Sequence, residues 1–277
     1  MRVSTKISNR WWQTGESTEV SHPFKHRRVL IAIPYVVLIA SAELLIAYAP
    51  TLAIAFHAII LFALLIHSSL ITISDYQFSA LLQVLTIAPL IRILSLTMPL
   101  GYFGIITMIA IVSVPVYIAI FMYIYIQGLE LRDVGLTRPK LNHLPLELAT
   151  ILLAIPGGIL CYLIVRPGIL IPEPSFGVLL VPALILIVST GFLEELAFRG
   201  LMQYHATRTM GFTGIIIISA LFGFLHIDDL LILYVIFAGS VGFIYSLIVQ
   251  RTGSIYGVSI SHGVINIMMF LIAPAYF

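Results

Sequence analysis

Charge is what this chain has least of. Only 9% of its 277 residues are charged, where soluble domains carry about 25%. Hydrophobic residues make up 60% and mean hydropathy is +1.10, which together exclude an ordinary water-soluble domain. A net charge of +2 points to no nucleic-acid partner. With one cysteine, Cys161, an internal disulfide is impossible. Its apolar surroundings make it a small buried hydrophobe. Strand-like alternation, internal repeats and low-complexity tracts are also missing.

What remains is a series of apolar runs of about 20 residues, each enough to cross a hydrocarbon core of about 30 Å as a helix. Lipid offers backbone N–H and C=O groups no partner, which favours helices. The expected fold is all-α, a polytopic transmembrane helical bundle of about eight to nine spans. Nine segments are drawn: 29–49, 51–73, 77–98, 102–127, 144–165, 177–198, 212–227, 229–249 and 255–276. Residues 1–28 are polar and basic, with Trp11 and Trp12 as interface anchors, and read as a cytoplasmic N-terminal segment preceding an uncleaved anchor. With that end inside, Arg132, Arg138, Lys140, Arg208 and Arg251 also fall inside, and Arg166 outside. The chain divides into an accessory four-helix region (29–127), a charged cytoplasmic connector (128–143) and a core (144–277). The protein is expected in the cell membrane, with the lipid bilayer around it.

Among only 12 acidic residues, Glu194 and Glu195 stand together at the end of an apolar run. A carboxylate in a membrane helix costs about 3 kcal/mol on insertion scales, so an intramembrane pair marks a functional site. Three pairs share a spacing of four: Glu195 and Arg199, Phe222 and His226, His262 and Asn266. Residues four apart share a helix face. Glu194 is turned by about 100° from Glu195, so Arg199 is expected to neutralise Glu195 and leave Glu194 for chemistry. A carboxylate can take a proton from water, imidazoles can orient that water, and an asparagine N–H can stabilise an oxyanion. The same Glu194, His226 and His262 could instead bind zinc with one position open to water. Spacing alone does not choose.

The order EExxxR (Glu194, Glu195, Arg199), FxxxH (Phe222, His226) and HxxxN (His262, Asn266) resembles the CAAX-processing and bacteriocin-processing (CPBP) family of intramembrane proteases, which includes the type II CAAX prenyl endopeptidases. The likeness covers about residues 129–277, including Asp133-Val-Gly-Leu-Thr. It implies an endopeptidase acting on a membrane-associated protein or peptide. Glu194 would activate water, with Glu195 and Arg199 supporting the site. His226 and His262 would position the water or ligate metal, and Asn266 would bind the oxyanion. Phe222 would line the site. The metal-free form is preferred, because the motif supplies a base and an oxyanion donor without zinc.

Other polar residues receive plainer readings. His57 and His67 are packing histidines, and one reading of Glu43 and Arg92 is a structural ion pair. His205 and Arg208 are expected at a solvated helix end, and Asp228 and Asp229 at an outer interface. Two other functions compete with the protease: a proton-coupled carrier, since carboxylate and histidine chains also build proton relays, and a non-catalytic immunity or adaptor protein.

Overall fold

The computed structural model describes residues 22–99, 102, 104–171, 175–227 and 230–277. The chain is an all-α bundle. Helix α1 is His22–Ile46 and α2 is Pro50–Ile71. The first helix-opening position of α2 suits proline, whose missing N–H would have had no partner there. Asp75 caps α3 (Tyr76–Leu85) by accepting the Phe78 N–H at 3.1 Å. Thr86 separates α3 from α4 (Ile87–Thr97). Pro89 lacks the N–H that would have bonded the Leu85 carbonyl, so the helix breaks there. Then come α5 (Ile105–Ile126) and α6 (Leu144–Val165), which ends on Arg166 in the left-handed conformation, φ 50°.

The next helix is unusual. It starts as α7 (Phe176–Ile185), widens into a π-helical stretch at Leu186–Phe192 and tightens for one α-turn, α8 (Leu193–Glu195). It widens again at Leu196–Met202 and finishes as α9 (Gln203–Met210). Both glutamates therefore sit between two π-stretches, a helix irregularity that occurs often at functional sites. After it come α10 (Phe212–Phe224), α11 (Ile232–Thr252), α12 (Tyr256–Ile267), a further π-turn at Met268–Ile272 and α13 (Ala273–Tyr276).

Eight helical segments among the described residues are long and apolar enough to cross a membrane. Two of the nine sequence-drawn segments need correction. The one drawn at 177–198 is part of a continuous helix reaching Met210. The one drawn at 212–227 is α10, whose 13 residues extend about 20 Å, short of the hydrocarbon core. Large apolar side chains such as Ile59, Phe62 and Leu153 lie more than half exposed on the outer helices, a surface suited to lipid rather than water. The protein is an integral membrane protein.

The segment Tyr256–Tyr276 is the most enclosed of the eight, with 56% of its apolar window inside the bundle. Its first part, α12, packs against α6 and the π-stretch 186–192, while α10 pairs with α11. The accessory helices lie directly on this core, α1 against α10 and α3 against α9, and one apolar cluster runs through both. The connector is anchored as well: the Ile255 N–H donates to the Gly135 carbonyl at 3.0 Å.

One crossing places the site. A Cβ added at Gly191 would fall 2.4 Å from the Ser259 carbonyl oxygen, and one at Gly263 would fall 2.8 Å from the Ile187 Cα. The helix bearing the glutamates and the helix bearing His262 and Asn266 thus meet backbone to backbone, the close approach that small residues allow between membrane helices.

Candidate active site

The two glutamates occupy different environments, as their 100° offset requires. The Glu195 side chain is fully buried, while that of Glu194 is 30% exposed. Glu195 Oε1 accepts from Arg199 Nη1 at 2.9 Å and from His262 Nδ1 at 2.8 Å. Arg199 is itself buried, and its guanidinium lies 4.2 Å from the centre of the Phe222 ring. A desolvated cation over an aromatic face contributes about 2 kcal/mol, which offsets part of the cost of burying this charge. Gly242 makes room for both groups: a Cβ there would lie 2.7 Å from Arg199 Nη2 and 3.0 Å from Phe222.

The hydrogen bonds fix both imidazoles. Glu195, paired with a guanidinium, is an acceptor only. His262 therefore carries its proton on Nδ1, and its Nε2 faces Glu194, 3.8 Å from Oε2. His226 Nδ1 lies 2.8 Å from the Phe222 carbonyl. A carbonyl cannot donate, so Nδ1 is again the protonated nitrogen. The helix places a backbone acceptor where it orients the His226 ring. Phe222 stands between the two imidazoles, its ring centroid 5.1 Å from His226 and 5.9 Å from His262.

His226, His262, Asn266 and Phe222 line one cavity of about 30 Å³, with Tyr234 and Cys161 also on its wall. That volume holds a water or two. Phe222, His226, His262 and Asn266, with Glu194, Glu195 and Arg199 adjoining through His262, are thus brought together from three helices. Among the described residues, no three His, Cys, Asp or Glu side chains are arranged to hold a metal ion. His262 neighbours Glu194 at 3.8 Å and shares a cavity with His226, but the three do not form a ligand set in this conformation.

Sequence reasoning missed Thr190. Its hydroxyl accepts from Asn266 Nδ2 at 2.8 Å and donates to the Leu186 carbonyl, so one amide N–H of Asn266 is held and the other is left for a ligand. The available signal was its position four residues before Glu194 on the same helix. One plainer reading also changes. His205 is buried and bonded to the Tyr123 hydroxyl at 2.9 Å, because α9 packs against α1 and α3. Arg208 is exposed, with its guanidinium over the Tyr204 ring. Glu43 and Arg92 form an ion pair, 2.7 Å between Oε2 and Nε, with His57 Nε2 3.4 Å from the same carboxylate. His67 bonds Tyr35 at 2.9 Å. Trp11, Trp12, Asp228 and Asp229 lie outside the described residues.

No curated protein and no solved structure matches the chain. Residues 176–268 match the family model described as "Type II CAAX prenyl endopeptidase Rce1-like". That stretch contains Glu194, Glu195, Arg199, Phe222, His226, His262 and Asn266, and agrees with the CPBP resemblance of the three motifs. Across residues 176–268, about a third of its length, the chain is similar to the Rce1-like type II CAAX prenyl endopeptidase family.

Proposed function

We propose that this protein is an intramembrane endopeptidase in which Glu194 is the general base, acting on a peptide bond of a membrane-associated protein or peptide. The observation that carries the reading is the way His262 divides the two carboxylates. One ring nitrogen is anchored on the Glu195–Arg199 pair, while the other faces Glu194 across 3.8 Å. That gap is too long for a direct hydrogen bond, and a single water about 2.8 Å from both atoms would bridge it.

The chemistry follows from these positions. His226 and His262 orient the water, and Glu194 takes one of its protons as the oxygen attacks the scissile carbonyl carbon. A C–O bond forms and the carbonyl electrons move to oxygen. The free N–H of Asn266 receives that oxyanion, an interaction worth about 3 kcal/mol in soluble hydrolases. Glu194 then returns its proton to the leaving nitrogen as the C–N bond breaks. Glu195 and Arg199 touch no reacting atom, and their task is to hold His262. Phe222 separates the imidazoles and covers Arg199. In this scheme the base and the oxyanion donor both come from the chain, so no step requires a metal.

Purified protein in lipid nanodiscs, incubated with membrane-anchored peptides, tests the assignment. Cleavage is expected in the native protein and lost in Glu194→Ala. Cleavage at the native rate in that variant would end the proposal.

A further inference from the structure

One side chain of the accessory helices, Arg92, reaches the end of α10 beside His226. Helix α10 ends at Phe224, and its last turn is closed by the chain just beyond it: the Leu225, His226 and Ile227 N–H groups donate to the Leu221, Gly223 and Phe224 carbonyls. His226 stands two residues further on. The carbonyl of Leu225, the capping residue, accepts a hydrogen bond from Arg92 Nη2 on α4. Arg92 is fixed from behind: its Nε pairs with Glu43 of α1 at 2.7 Å, and Glu43 is fully buried beside His57 of α2. A guanidinium has a planar fork of donors, so one face is spent on Glu43 while the other caps α10. A cation at a helix C-terminus is also favoured by the helix dipole.

We propose that Arg92 is a positioning residue for His226: by capping α10 from outside the core it sets where that imidazole stands in the cavity. The inference rests on the proposed protease function, because it gives His226 a placement that matters. It also assigns a role to the first four helices, since Glu43, His57 and Arg92 come from three of them. His226 is held at its ring by the Phe222 carbonyl and at its N–H by the Gly223 carbonyl, 3.0 Å away, and Arg92 fixes the neighbouring Leu225 carbonyl.

Arg92→Met is the direct test, with Glu43→Gln and the double variant beside it. Removing only the cation leaves a buried carboxylate without its counter-charge, which destabilises the fold, whereas the double variant has no uncompensated charge and still lacks the cap. Both variants that lose Arg92 are expected to lower kcat about 30- to 100-fold with KM changed less than about twofold, the scale of a misplacement near 1 Å. Glu43→Gln alone keeps kcat near native. Amide exchange in the two variants lacking Arg92 should rise at Leu225–Ile227 and stay native in α6 and α12. Native kcat in the double variant, or unchanged exchange at Leu225–Ile227, would overturn the proposal. The exchange experiment needs no substrate. A native protein that cleaves nothing would therefore sink the protease reading while the cap was still tested.

Discussion

The molecule builds the same trio of side chains twice. In the accessory region Glu43, Arg92 and His57 meet, at 2.7 and 3.4 Å. In the core Glu195, Arg199 and His262 meet, at 2.9 and 2.8 Å. Each trio centres on a fully buried carboxylate with a guanidinium and an imidazole. A buried carboxylate, guanidinium and imidazole are therefore a way of accommodating charge in a membrane bundle and do not by themselves make a reaction centre. The core trio differs in what its imidazole does next. His57 is fully buried, while His262 reaches past its anchor to a second, partly exposed carboxylate and borders a cavity. On this comparison the proposed chemistry belongs to Glu194 and to the water-sized space that His262 borders.

That contrast can be broken at either trio. The largest effect should come from Glu194→Ala, which has no counterpart in the accessory region: a fall in kcat of about 10³- to 10⁴-fold with native thermal stability, read from single-turnover cleavage and detergent melting curves. Asn266→Ala should follow, about 10²-fold in kcat through the oxyanion, with little change in KM. Glu195→Ala and Glu43→Ala then separate the trios. Each removes a guanidinium's carboxylate partner and should destabilise in denaturant titrations, Glu195→Ala by about 3 kcal/mol because Arg199 is buried, Glu43→Ala by less because Arg92 is partly exposed and keeps the Leu225 carbonyl. Only Glu195→Ala should also reduce cleavage per folded molecule, because only that carboxylate holds a site imidazole. Thr190→Val, which removes the acceptor from Asn266, should cost about tenfold in kcat at a stability change near 1 kcal/mol. Smallest of all is the response to a strong zinc chelator. A cleavage rate unchanged after prolonged dialysis is expected, and a rate restored only by added zinc would replace Glu194's role as base with a metal site.

Much of this architecture could be read before any coordinates. Long apolar runs admit one solution in lipid, and eight appear as helices of membrane-crossing length. The motif residues were found because they were costly: Glu194, Glu195, Arg199, His226 and His262 are ionisable groups in segments where burial must be compensated. Thr190 escaped because a threonine in an apolar helix satisfies its hydroxyl on the backbone and leaves no such trace. The length of α10 was overdrawn because hydropathy continues through Leu225 and Ile227 after the helix has stopped. His205 was misjudged for the opposite reason. Polar residues at 203–208 suggested water, but α1, α3 and the Tyr123 hydroxyl supply their surroundings. Such tertiary partners come from distant segments and have no local signature.

The glycine seam between the π-stretch 186–192 and α12 has a mechanical consequence. Two backbones already in van der Waals contact cannot slide apart cheaply, so Glu194 and His262 travel as one body. A hollow of about 30 Å³ admits solvent but no polypeptide. Its far wall is Tyr234, Phe237 and Val241 of α11, a helix that meets α10 backbone to backbone at Gly223 and Gly239, so that side is pinned as well.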